Sequence, residues 1–93
     1  MAVSVIVPNA LTPYTKGVGT LVVTEPCTTV ADALAAVAAR LPALTDRVLT
    51  EQGELRRHVN VFLGDESIRF LDGLETAVED GATITIVPAV SGG

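Results

Sequence analysis

Thr29-Val30-Ala31-Asp32-Ala33-Leu34-Ala35-Ala36-Val37-Ala38-Ala39-Arg40-Leu41-Pro42 is the stretch on which the fold turns. Val30, Leu34, Val37 and Leu41 recur at helical spacing and share one face. The alanines between them have the highest helix propensity of any residue. Thr29 followed by Asp32 resembles a capping box, with aspartate where glutamate is usual. Pro42 has no N–H to continue the ladder and ends the helix. One apolar stripe on one helix requires a second layer to bury it.

The flanking residues supply that layer. Val3-Ser4-Val5-Ile6-Val7-Pro8 is short and β-branched and reads as a strand that Pro8 ends. Asn9 to Gly19, with Pro13, Gly17 and Gly19, reads as a turn. Thr20-Leu21-Val22-Val23-Thr24 reads as a second strand, antiparallel to the first and broken by Glu25-Pro26. Beyond the helix, Leu44, Val48 and Leu49 suggest a short helical turn, and Gln52-Gly53-Glu54 an exposed loop. His58 to Leu63, a tight Gly64-Asp65-Glu66 turn and Ser67 to Phe70 suggest a hairpin. Leu71 to Gly81 connects, with room for a turn of 3₁₀ helix, and Thr83-Ile84-Thr85-Ile86-Val87 alternates as a half-buried strand should. The order is α+β. Val3, Val5, Val7, Val59, Val61, Ile84 and Ile86 are the expected sheet side of the core, at about 1.5–3 kcal/mol for each large aliphatic side chain buried.

Composition bounds what such a fold can do. The 93 residues support one small domain, and 48% hydrophobic with 18% charged residues is the balance of a packed globule. One cysteine, Cys27, and one histidine, His58, leave too few ligands for a structural zinc or an iron–sulfur cluster, so no metal site is expected. The net charge of −5 argues against nucleic acid and favours encounter with basic partners. No apolar run is long enough to span a bilayer. The start, Met1-Ala2-Val3-Ser4, has no signal-peptide pattern, so the expected location is cytoplasmic, away from the membrane.

From His58 onward the chain resembles the ThiS/MoaD family of ubiquitin-like sulfur carriers, most closely the CysO type. The residues that carry the likeness are Val59-Asn60-Val61-Phe62-Leu63, Arg69-Phe70, Asp72-Gly73-Leu74, Glu79-Asp80-Gly81, Thr85-Ile86-Val87-Pro88-Ala89-Val90 and Gly92-Gly93. Before His58 the match is one of element order more than of residues. Ser91 departs from the small apolar residue more usual there, which bears on the choice of activating enzyme. The resemblance implies a β-grasp fold, a mixed sheet of about five strands packed on one main helix. Residues 1–88 would form that domain and 89–93 a flexible tail. It further implies that Gly93 is adenylated by a ThiF/MoeB-like enzyme, which uses ATP, and then converted to a thiocarboxylate. A sulfur-accepting biosynthetic enzyme, for cysteine or another sulfur metabolite, would take the sulfur. The carrier itself would be a protein co-substrate, not an enzyme, with no bound cofactor and no catalytic side chain. The small subunit of a molybdopterin-synthase-like complex and a ubiquitin-like protein modifier are the alternatives.

The chemistry suits the tail. Val90, Ser91, Gly92 and Gly93 are small enough to thread a narrow channel, and glycine adopts backbone angles closed to other residues. If Val59, Val61 and Leu63 face the helix, alternation turns Asn60 and Phe62 outward, along with Ile6, Thr85 and Val87. Phe62, Ile6, Thr85 and Val87 are therefore the expected partner-binding surface. Cys27 lies just before the helix, where a dipole can lower a thiol's pKa; with no histidine nearby in the sequence, a buried structural thiol is the preferred reading. Arg56-Arg57-His58 reads as a solvated loop edge, Glu79-Asp80-Gly81 as a turn, and Gly17 and Gly19 as turn glycines with no helix following to make a phosphate loop.

Overall fold

The computed structural model describes residues 2–88. Strand β1 (Val3–Ile6) is followed by a 3₁₀ segment (Asn9–Thr15), strand β2 (Thr20–Val23), helix α1 (Val30–Arg40) and helix α2 (Pro42–Val48). Strands β3 (Val59–Leu63) and β4 (Glu66–Ser67), two 3₁₀ turns (Ile68–Phe70 and Gly73–Glu75) and strand β5 (Thr83–Pro88) complete it. The sheet has five strands in the order β2-β1-β5-β3-β4. β1 is antiparallel to β2 and parallel to β5, and β5 is antiparallel to β3. The last strand thus lies in the middle of the sheet, and α1 covers one face: the β-grasp arrangement.

The capping box is formed as expected. The Thr29 hydroxyl accepts from the Asp32 N–H at 3.2 Å, and the Asp32 carboxylate accepts from the Thr29 N–H at 3.2 Å. The same carboxylate also takes the Thr28 N–H and hydroxyl, at 2.9 and 2.8 Å. Val30, Leu34 and Val37 of α1 are buried against Val3, Val5, Val7, Val59, Val61, Ile84 and Ile86, while Leu41 packs at the edge, partly buried.

Two local expectations are revised, and the short helical turn expected around Leu44 and Val48 is found as a second helix. The stretch taken as a turn after Pro8 contains seven residues of 3₁₀ helix, held by Leu11 and Thr15 buried beneath it. Pro42 stops α1 but also opens α2, where its missing N–H is harmless in the first turn; Leu44 and Val48 anchor that helix in the core. The hairpin after Gly64 is shorter than it reads. β4 ends at Ser67, and the chain turns 3₁₀ through Ile68–Phe70. Two residues apart on a strand, Ile68 and Phe70 would share a face. The turn separates them, leaving Ile68 0% and Phe70 84% exposed.

Candidate functional site: the outer sheet face and the strand that leads to the tail

The candidate modification site Gly93, and with it Val90, Ser91 and Gly92, lies outside the described residues. What the structure shows is how the chain is presented up to Pro88. β5 is held on both flanks, but not equally far. β1 pairs with it only to Ile6↔Thr85, whereas β3 continues to Val59↔Pro88. Pro88 has no N–H to give and sits where the ladder on the β1 side has ended.

The expected outward residues share a face. Ile6 pairs with Thr85, and Thr85 with Phe62, so the three form one row across β1, β5 and β3. Thr20 extends the row on β2 and Ser67 on β4. Val87 stands one step nearer the tail, opposite Asn60, and is 39% exposed. Phe62 is only half-buried rather than open, set between Thr85 and Ser67 in register. Val22, opposite Ser4 on β2, adds an exposed apolar group that the sequence reading did not single out, although alternation from Val23 would have found it.

Arg69 is the larger omission. Its guanidinium donates to the carbonyls of Arg56 (2.9 Å), Arg57 (3.2 Å) and Val59 (2.8 Å), and to the Asn60 side-chain oxygen (3.2 Å). One side chain thereby pins the start of β3, the strand that holds Pro88. The planar fork of arginine can satisfy several acceptors at once where an ammonium could not reach them all. No local pattern announces this, because the partners lie nine to thirteen residues away in sequence.

Cys27 is 4% exposed and its thiol donates to the Glu25 carbonyl at 3.3 Å. Burial first, then the negative charges of Asp32 and Glu25, pushes its pKa up, against the lowering that the helix position suggested. A neutral buried thiol is a poor nucleophile. Among the described residues no three histidine, cysteine, aspartate or glutamate side chains gather as a metal site, and no helix is long and apolar enough to cross a membrane.

A five-stranded β-grasp sheet with the last strand at its centre defines a ubiquitin-like protein, and the sequence beyond that strand ends in a glycine pair. The ThiS family profile matches residues 5–93, through Gly93 itself, and the chain belongs to that family. It is 37% identical to the sulfur carrier protein CysO of Mycobacterium tuberculosis, over the whole of both chains. Its fold matches CysO in the crystal structure of the Amycolatopsis orientalis BexX/CysO complex with a TM-score of 0.86 at 38% identity, covering 98% of this chain and 99% of that one. It also matches the small archaeal modifier protein SAMP1 of Haloferax volcanii with a TM-score of 0.85 at 32% identity, covering 100% of each chain.

Proposed function

We propose that this chain is a sulfur carrier whose reactive group is the Gly93 carboxyl, and that it serves partner enzymes as a co-substrate. The observation that carries this reading is full-length similarity to sulfur carriers, with a family match that runs through Gly93. A carboxylate is a poor electrophile, because oxide will not leave. An adenylating enzyme of the ThiF/MoeB kind joins the Gly93 carboxylate to AMP from ATP, releasing pyrophosphate. A sulfide equivalent then adds to the acyl carbon, the C–O bond to AMP breaks, and the thiocarboxylate and AMP result. The electrostatic groups that stabilise this chemistry belong to the enzyme. The carrier contributes the Gly93 acyl end, and this chemistry asks no catalytic side chain of it. A biosynthetic enzyme, in cysteine or related sulfur metabolism, takes the sulfur from Gly93.

The outer row of Ile6, Thr85 and Phe62, with Val87 nearer the tail, is the surface on which the activating enzyme docks. Whatever holds the tail must also pass over the strand that precedes it. Incubation with a cognate adenylating enzyme, ATP and a sulfide source is expected to exchange one oxygen for sulfur, located at Gly93 by fragmentation of the intact protein. An unchanged mass with several competent activating enzymes would remove the reading. A second reading, a protein modifier joined to lysines through the same carboxyl, is favoured by 38% identity over 65 residues to small archaeal modifier protein 3 of Haloferax volcanii. Lysine conjugates of higher mass in cells would select it.

A further inference from the structure

The chain is acidic overall, yet its arginines are not evenly spread. Of the six lysines and arginines, Arg47, Arg56, Arg57 and Arg69 gather around the start of β3. Arg47, Arg56 and His58 line a cleft of about 500 Å³ together with Tyr14, Ala43 and Asp46. Arg69 reaches the carbonyls of Arg56 and Arg57. This is the end of the sheet where Val59 pairs with Pro88, the last described residue before the tail. The opposite end is acidic: Asp65 lies in the β3–β4 turn, Glu66 begins β4, and Asp80 accepts the Ala2 N–H at 2.8 Å.

Two features suit this collar to recognition. Three of its guanidiniums are held in place: Arg47 lies 4.7 Å from the Tyr14 ring centroid, the Arg56 Nε–H donates to the Asp46 carbonyl at 2.9 Å, and Arg69 is bound to the carbonyls at the start of β3. Their charge is also unspent, since Arg40–Glu25 is the one ion pair among the described residues. Asp46, Glu51 and Glu54 are the acids nearest in the chain to Arg47, Arg56 and Arg57, and Glu66 and Asp72 to Arg69; none comes within ion-pair distance of these arginines. Preset, unneutralised guanidiniums are suited to carboxylates.

We infer that this basic collar docks a carboxylate-rich loop of the protein that receives the tail, at the rim of its channel. The inference rests on the carrier reading for the partner's identity, but not for the binding itself. A chain with net charge −5 is repelled by an acidic surface except where its own field reverses sign. Such a partner would therefore be met tail first, with complementarity acting on approach and register.

The probe is a hexaglutamate peptide titrated into the full chain at low and at physiological salt, followed by backbone chemical shifts. Shifts are expected at Arg47, Arg56, Arg57, His58 and Asn60, weakening as salt rises. The double variant Arg47→Ala with Arg57→Ala is expected to bind roughly tenfold more weakly, and the matching lysine variant to recover most of the loss. Arg40→Ala, which removes one charge elsewhere, is expected to bind as the parent does. With an adenylating enzyme, the alanine pair should raise KM for the carrier and leave kcat unchanged. Shifts spread evenly over Lys16 and Arg40, or identical binding by the alanine pair, would overturn the collar. Localised binding of the peptide by a chain that no activating enzyme charges would leave the collar standing and remove the carrier reading instead.

Discussion

At the scale of single residues, the two side chains to separate are Phe62 and Cys27. Phe62 is half-buried in the outer row, so Phe62→Ala should lose part of an interface anchor, worth about 2 kcal/mol or roughly thirtyfold in affinity. Phe62→Asp should weaken docking further, because a carboxylate would be buried without a partner. Charging kinetics at limiting carrier, beside a melting curve, measure both. Normal charging by a folded Phe62→Asp chain would show that the patch is not the docking surface. Cys27→Ser should leave charging and transfer nearly intact, since the proposed site of the sulfur is the Gly93 acyl carbon; loss of activity in a folded variant would contradict this. The thiol's raised pKa fixes the direction of its pH effect. Its contribution to stability is fully present below the unfolded-state pKa and is lost as pH rises through the higher folded one. Alkylation of the native thiol should accordingly be slow at neutral pH and accelerate on unfolding.

At the scale of elements, the start of α1 carries the clearest consequence. Hydrogen bonds from the Thr28 backbone N–H, then the Thr28 hydroxyl, then the Thr29 N–H hold the Asp32 carboxyl below its ordinary value of 3.8. A carboxyl with a lowered folded-state pKa contributes stability at neutral pH that disappears as pH falls through the folded value. Asp32→Asn should therefore melt earlier than the parent at pH 7 and approach it in strong acid. Thr29→Ala removes the other half of the box and should cost about 1 kcal/mol in denaturant unfolding. A difference between parent and Asp32→Asn that persisted unchanged into strong acid would show that the ionised carboxylate is not what caps the helix.

At the scale of the whole molecule, β5 in the centre of the sheet separates folding from chemistry. Among the described residues the last core position is Ile86, and the proposed reactive carboxyl is that of Gly93. Deleting Gly93, or adding one residue after it, should abolish charging and leave the melting temperature unchanged, because tolerance to truncation follows burial. A collapse in thermal stability would show that the terminal residues pack into the domain.

The α1 stripe, its capping box and the alternation of β1, β3 and β5 were legible along the chain, because each depends on neighbours a few residues apart. So were the outward set of Ile6, Phe62, Thr85 and Val87 and the likeness that points to Gly93. The short-range signals failed where a distant partner overrode them. Ile68 leaves the strand pattern to fill the core, and the stretch after Pro8 that reads as a turn coils into 3₁₀ helix over the buried Leu11 and Thr15. The Arg69 clamp has no sequence signature, and of the basic collar only Arg56-Arg57-His58 stands out along the chain. Arg47 and Arg56 meet because the Leu49–Leu55 bridge closes the loop between them, and Arg69 joins them only when the chain beyond β4 folds back onto the start of β3. Both are closures between residues apart in sequence, which only the tertiary structure makes.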